Sequence, residues 1–166
     1  MKRDDGSILL LAIAIFALAA LRARQLPVKS TKKSETQLAT LVPGFREAVG
    51  RVVAAMRAAG FDAVVREGVR SAARAQELAE KGTGIANSLH KIGLAADVIS
   101  ASMGWGAPEA FRQALRSFAE KEGLTSGAGF TNPDWAHIQA VAVAEQAAAR
   151  AWSPLEREKR MRERYG

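Results

Sequence analysis

The sequence predicts an α+β domain in which helices pack on a small, mainly antiparallel sheet, and three observations lead there. Apolar residues recur at a helical period through Phe45, Val49, Val52, Val53 and Met56, and again through Phe111, Leu115 and Phe118. Three runs of strand length, Phe61 to Glu67, Leu94 to Ser100 and Ala136 to Val141, are distributed among those helices. The 166 residues suit one domain with appendages, and the order of elements matches a sheet with helices against it.

The chain opens on an unbroken apolar run of fourteen residues, Ile8 to Leu21, with Lys2 and Arg3 before it and Arg22 and Arg24 after it. As a helix it would span about 21 Å, short of a bilayer core of roughly 30 Å. A helix apolar on every face at this position reads as an export signal rather than a core element. Residues 1–24 are therefore expected to form a signal-anchor. Residues 25–34, polar and containing Pro27, read as a linker.

Pro43 suits the first position of a helix that runs to Gly60. Phe61 to Glu67 is the first expected strand, and Ser71 can cap a helix ending at Gly82. Leu94 to Ser100 is the second strand, which would put Asp97 on a rigid element and His90 on the loop leading into it. Pro108 to Glu122 is an amphipathic helix, Ala136 to Val141 a third strand, and an alanine-rich helix follows to about Trp152. Residues 146–166 are expected to form that helix and a charged tail, with Ser153 to Gly166 a frayed helix.

The net charge of +7 is carried by the ends. Residues 1–33 hold seven Lys/Arg against two acids, residues 34–145 hold eleven against twelve, and residues 146–166 hold six against three. A nearly neutral central domain without a nucleic-acid-binding motif argues against a nucleic-acid partner. Basic ends suit an anionic lipid or wall polymer, or simply solubility. No cysteine is present, so no disulfide staples the domain.

The chain has only two histidines, and each lies in a short pattern with a carboxylate: Ser88-Leu-His90-Lys-Ile-Gly93-Leu-Ala95-Ala-Asp97 and Asp134-Trp-Ala-His137. Taken singly, either histidine has many structural uses. Together, His90, Asp97 and His137 form the three-ligand set that hydrolytic zinc centres use, with a fourth position left for water. Asp134 then remains as a general base; its structural alternative is a turn residue after Asn132-Pro133.

The first pattern matches the S-x-H-x-x-G-x-A-x-D signature of the D-alanyl-D-alanine carboxypeptidase and L-alanyl-D-glutamate peptidase family, and the second matches that family's closing D-x-x-H. Glu67-Gly68-Val69-Arg70-Ser71, with Gln76 and Leu78, resembles the family's G-Y-R-S segment and following helix. Gly123-Leu124 and Gly127-Ala-Gly129-Phe130 resemble its glycine-rich approach to the second ligand motif. The resemblance covers Leu41 to Gln139, with Val69 where the family has Tyr and Phe130 where it has Trp. It implies the hedgehog/DD-peptidase-like α+β fold over residues 35–145, with a Zn2+ site on sheet and loops, and the stem peptide of peptidoglycan as substrate. Arg70 becomes a candidate to hold a substrate carboxylate or a developing oxyanion. Ser88 is expected to support His90 or to bind substrate.

The expected function is a zinc endopeptidase cutting the L-alanyl-D-glutamate bond, as in phage endolysins. The alternatives are a D-alanyl-D-alanine carboxypeptidase and a wall-binding protein without catalysis. Asp134 tilts the choice toward the endopeptidases, whose D-x-x-H more often begins with Asp, whereas the carboxypeptidases more often have Glu there. The weakly hydrophobic run, with five alanines from Ala12 to Ala20, resembles the signal-arrest-release segments of some endolysins. Two Lys/Arg before it and five between Arg22 and Lys33 favour the opposite orientation; cell-wall chemistry outweighs that count. The expected protein is an exported monomer, tethered to the inner membrane or periplasmic, with no organic cofactor.

Overall fold

Four antiparallel strands and six helices make up the described residues, 31–166, of the structure, which is a computed structural model. The fold is α+β, as the sequence predicts. The apolar run and residues 25–30 of the expected linker lie outside the described residues. Among the described residues, no helix is long and apolar enough to cross a membrane.

Helix α1 (Thr31–Ala39) starts within the stretch read as a linker. Its polar side chains explain both the linker-like composition and the docking, because they bond the free edge of the first strand. Ser34 Oγ accepts from Val65 N at 2.9 Å and Gln37 Oε1 from Gly68 N at 3.0 Å, and just beyond the helix Thr40 Oγ1 accepts from Val69 N at 2.8 Å. An edge strand's unpaired N–H groups are thereby covered.

Helix α2 (Phe45–Ala58) buries Phe45, Val49, Val52, Val53 and Met56, the periodic residues of the sequence. It begins after Gly44, whose φ of 82° lets the chain turn in against Met161, two residues later than Pro43 suggested. Strand β1 (Ala63–Glu67) leads to helix α3 (Ala72–Glu80), capped by Ser71 Oγ, which accepts from Arg74 N at 3.1 Å. Strand β2 (Ala95–Ser100) is buried at all six positions, as expected of a central strand. Helix α4 (Glu109–Lys121) buries Phe111, Leu115 and Ala119.

Strand β3 (Thr125–Ser126), only two residues long, was not expected; it pairs with β4 (His137–Gln139) at the far edge of a sheet ordered β1-β2-β4-β3. Val65, Ala96, Val98 and Ile138 join α2 and α4 in one apolar core. Full burial of such side chains stabilises by about 1.5–3 kcal/mol each.

The alanine-rich helix is short, α5 (Gln146–Ala151), and the charged tail is not frayed. Residues Pro154–Tyr165 form helix α6, with Ser153 Oγ accepting from Glu156 N at 3.2 Å. Met161 and Tyr165 enter the core at 1% and 6% exposure, and the Tyr165 hydroxyl donates to Ala140 O. Two buried anchors at i and i+4 therefore hold a helix that otherwise looks solvated.

Candidate metal centre

The sheet register builds the site. Asp97 on β2 lies between Glu67 on β1 and His137 on β4, paired with both across the strands. Cross-strand partners project on the same face, so Asp97 and His137 emerge side by side. His90 arrives from a 3-10 turn, Leu89–Ile92, just before β2. Its N-cap Ser88 is buried, and Ser88 Oγ accepts from His90 N at 3.3 Å. Ser88 thus supports His90 through the backbone.

The three ligand atoms form a nearly equilateral triangle. His90 Nε2 is 3.2 Å from Asp97 Oδ1, His137 Nδ1 is 3.4 Å from the same oxygen, and the two nitrogens are 3.3 Å apart. Ligand bonds of about 2.0–2.1 Å in tetrahedral geometry require edges of about 3.3–3.4 Å. The group can accordingly hold a metal ion.

The hydrogen-bond partners of the rings strengthen that conclusion. His90 Nδ1 is 2.8 Å from the carbonyl oxygen of Gly68, which can only accept, so the proton is on Nδ1 and the Nε2 lone pair points inward. On His137, Nε2 donates to Gln139 Oε1 at 3.3 Å, freeing the Nδ1 lone pair. The Gln139 amide is oriented by its own bonds, with Nε2 donating to Val141 O at 2.6 Å and Oε1 accepting from Gln146 Nε2 at 3.0 Å. Asp97 Oδ1 is buried and accepts no hydrogen bond. With both rings neutral, three lone pairs therefore converge, an arrangement that suits a cation at its centre.

Arg70 completes the setting of Asp97. Its guanidinium, 9% exposed, bonds Glu67 through Nε at 3.0 Å and through Nη2, and reaches Asp97 Oδ2 at 3.4 Å. Oδ2 is thus turned to Arg70 and Oδ1 to the histidines. Arg70 N also donates to His90 O at 3.1 Å, tying the Gly68-Arg70 backbone to His90 at both ends. Arg70 lines the open cleft above the site, yet its charge is already matched by two protein carboxylates.

Asp134 stands on the rim of the same cleft of about 1060 Å³. Its backbone makes a turn: the carbonyl accepts from His137 N at 3.2 Å and its N–H donates to Gly127 O at 2.9 Å. The turn and the base readings of Asp134 are therefore compatible. Gly127 is required there because a Cβ would strike Asp134 O and His137 Cβ. Phe130 packs 5.7 Å from the His137 ring, and Val69 is exposed beside the cleft. Gln76 is on the surface, bonded to Glu80, while Trp135 packs against Phe111 and Trp105.

Electrostatics follow from this packing. Burial alone would raise the carboxyl pKa of Asp97, but the two histidines overcome it and hold it far below the ordinary range. Burial would lower His137, whereas Asp97 and then Asp134 raise it above 6.5. Asp134, an exposed residue on the cleft rim, is raised above 3.8, first by partial desolvation there and then by the charge of Asp97. A carboxylate pushed upward beside a cation-binding triad is suited to accepting a proton.

Residue-type reasoning did not find Gly68, Glu67 and Gln139 as parts of the site. Gly68 and Glu67 belong to the matched segment, but their contributions are a carbonyl and a salt bridge that only the fold brings to His90 and Asp97. Gln139 offered only the signal of a buried amide two residues beyond a ligand.

No family model matches the chain, and neither does any curated protein. Among solved structures it is similar to the L-Ala D-Glu endopeptidase ChiX of Serratia marcescens. The two are 27% identical with a TM-score of 0.52, over 68% of this chain and 89% of that one.

Proposed function

We propose that this protein is a peptidoglycan hydrolase, a zinc-dependent endopeptidase that cuts the L-alanyl-D-glutamate bond of the stem peptide. The observation that carries the reading is the triangle of three inward lone pairs at His90, Asp97 and His137, on the floor of an open cleft. The likeness to an L-Ala D-Glu endopeptidase supports the choice of bond.

His90, Asp97 and His137 would hold the ion, and two nitrogens with one carboxylate oxygen suit zinc. Zinc bound there supplies Lewis acidity toward a hydrolytic water and the scissile carbonyl. Asp134 takes the proton of that water and delivers it to the departing amine. Arg70 and Glu67 fix Asp97, Gly68 fixes His90, and Gln139 fixes His137, so the donors are set before substrate arrives.

The expected setting is the wall-facing side of the inner membrane, with the apolar run Ile8 to Leu21 as anchor or releasable tether and an endolysin role in lysis. Fractionation of expressing cells tests that; a wholly cytosolic protein would exclude it. The chemistry is tested by digesting purified peptidoglycan with and without chelator and identifying the fragments by mass spectrometry. New N-terminal D-glutamate, lost with chelator and restored by zinc, is the expected result. Free D-alanine alone would make the protein a carboxypeptidase, and no product with zinc bound would leave a wall-binding role.

A further inference from the structure

A second cavity, of about 400 Å³, opens beside the metal cleft and shares Glu67, Arg70, Arg74 and Trp105 with it. It is lined in addition by Lys33 of α1 and Arg66 of β1. Four cations thus face one carboxylate, and that carboxylate, Glu67, is bonded to Arg70. Arg74 is paired with Glu77 at 2.7 Å on the surface. Lys33 and Arg66 have no ion-pair partner among the described residues. The excess of positive charge in this cavity therefore resides on Arg66 and Lys33.

The backbone shows how Arg66 comes to be there. In a regular strand Arg66 and Glu67 would point to opposite faces. The pairing of β1 with β2 instead runs from Val65↔Val98 to Glu67↔Asp97, leaving Arg66 as the extra residue of a bulge. A bulge re-aims side chains, and here both Arg66 and Glu67 line the same cavity.

Cutting an L-Ala-D-Glu bond leaves a glutamate residue on the departing side. Glutamate has two carboxyl groups, so one is free whichever of them continues the chain. Arg70 is matched within the protein and does not need that carboxylate. We infer that the cavity lined by Arg66 and Lys33 is a specificity subsite that binds a free carboxylate of the peptide on the departing side of the scissile bond. The inference rests on the endopeptidase reading above. Arg66 supplies the planar fork that carboxylates fit, and Lys33 adds a point charge.

The test uses the full chain, purified in detergent and loaded with zinc. Its probe is a synthetic stem tripeptide, L-alanyl-γ-D-glutamyl-L-lysine, with the glutamate α-carboxyl either free or amidated. The free acid is expected to be cleaved with about ten- to a hundredfold higher kcat/KM than the amide, chiefly through KM. Arg66→Gln should remove that preference, Lys33→Gln should reduce it, and Arg66→Lys should restore part of it. Equal cleavage of acid and amide by the native chain, or a preference intact in Arg66→Gln, would overturn the subsite. If the native chain cleaves neither peptide, the endopeptidase reading fails, and calorimetric titration with the free-acid peptide decides the subsite alone. Binding weakened at least tenfold by Arg66→Gln would uphold it; equal binding by both proteins would refute it.

Discussion

His90 Nδ1 donates to the carbonyl oxygen of Gly68 at 2.8 Å, and this bond couples the candidate metal triad to helix α1. Gly68 N is itself bonded to Gln37 at the end of α1, and a Cβ on Gly68 would collide with Gln37 O and Thr40 Oγ1. The carbonyl that sets the tautomer of His90 is therefore positioned by a helix that supplies no ligand. Gly68→Ala must push α1 away from β1 or rotate the peptide. We expect a loss of about 1–3 kcal/mol in stability and a drop of about 10- to 100-fold in metal affinity, measured by thermal melts and competition with a chromogenic chelator. Unchanged affinity would show that the Gly68 carbonyl does not orient His90.

Asp134 is expected to act on the reaction and not on the metal. Asp134→Asn keeps the turn, whose hydrogen bonds are made by the backbone, and removes the base. Hydrolysis should fall by about 10²- to 10⁴-fold, with stoichiometric metal retained in elemental analysis. Loss of metal along with activity would instead make Asp134 a ligand or a structural support of the triad.

Protons and metal compete for the same lone pairs, and this gives a pH signature. His137 is raised above 6.5 in the metal-free protein, so its protonated form favours the fold; that contribution is full below 6.5 and is lost as pH rises through the folded value. Asp97 is depressed, so its contribution is present above 3.8 and is lost as pH falls toward its folded value. The combined contribution of these two groups to metal-free stability is therefore greatest between 3.8 and 6.5. Metal loading reverses the upper limb, because the ligands bind as free bases. Denaturant melts of the metal-free protein against a His137→Gln variant should isolate this window. A difference that grows above pH 7 would contradict the assigned direction.

The donors of the site were legible because each lies in a short local pattern, and the helical period of Phe45 to Met56 and the apolar run into Ser100 needed no tertiary information. The elements that escaped depend on partners distant in sequence. Helix α1 is polar because it docks through hydrogen bonds to a strand edge, not through an apolar stripe. Strand β3 has two residues, too few to display a period. Gln139 became part of the site only when β4 placed its amide beside His137. Arg70 is expected from the sequence to hold a substrate carboxylate or a developing oxyanion; it lines the cleft, and the register of β1 against β2 also gives its guanidinium Glu67 and Asp97, two partners that the sequence does not announce.

Helix α6 supplies the last prediction, because its composition and its packing point in opposite directions. Its exposed side chains form ion pairs such as Arg160-Glu156 and Arg162-Glu158, which contribute at most about 0.5 kcal/mol apiece at a surface. Met161, 1% exposed and set against Gly44 at the start of α2, has no such solvent screening. Met161→Ala should therefore cost about 2–5 kcal/mol, while Glu158→Ala on the same helix should cost under about 0.5 kcal/mol. Equilibrium denaturation of the two variants separates a docked helix from a solvated tail. Equal small effects would mean that the residues after Ser153 do not belong to the folded core, and the buried hydroxyl of Tyr165 would then lose its bond to Ala140 without consequence.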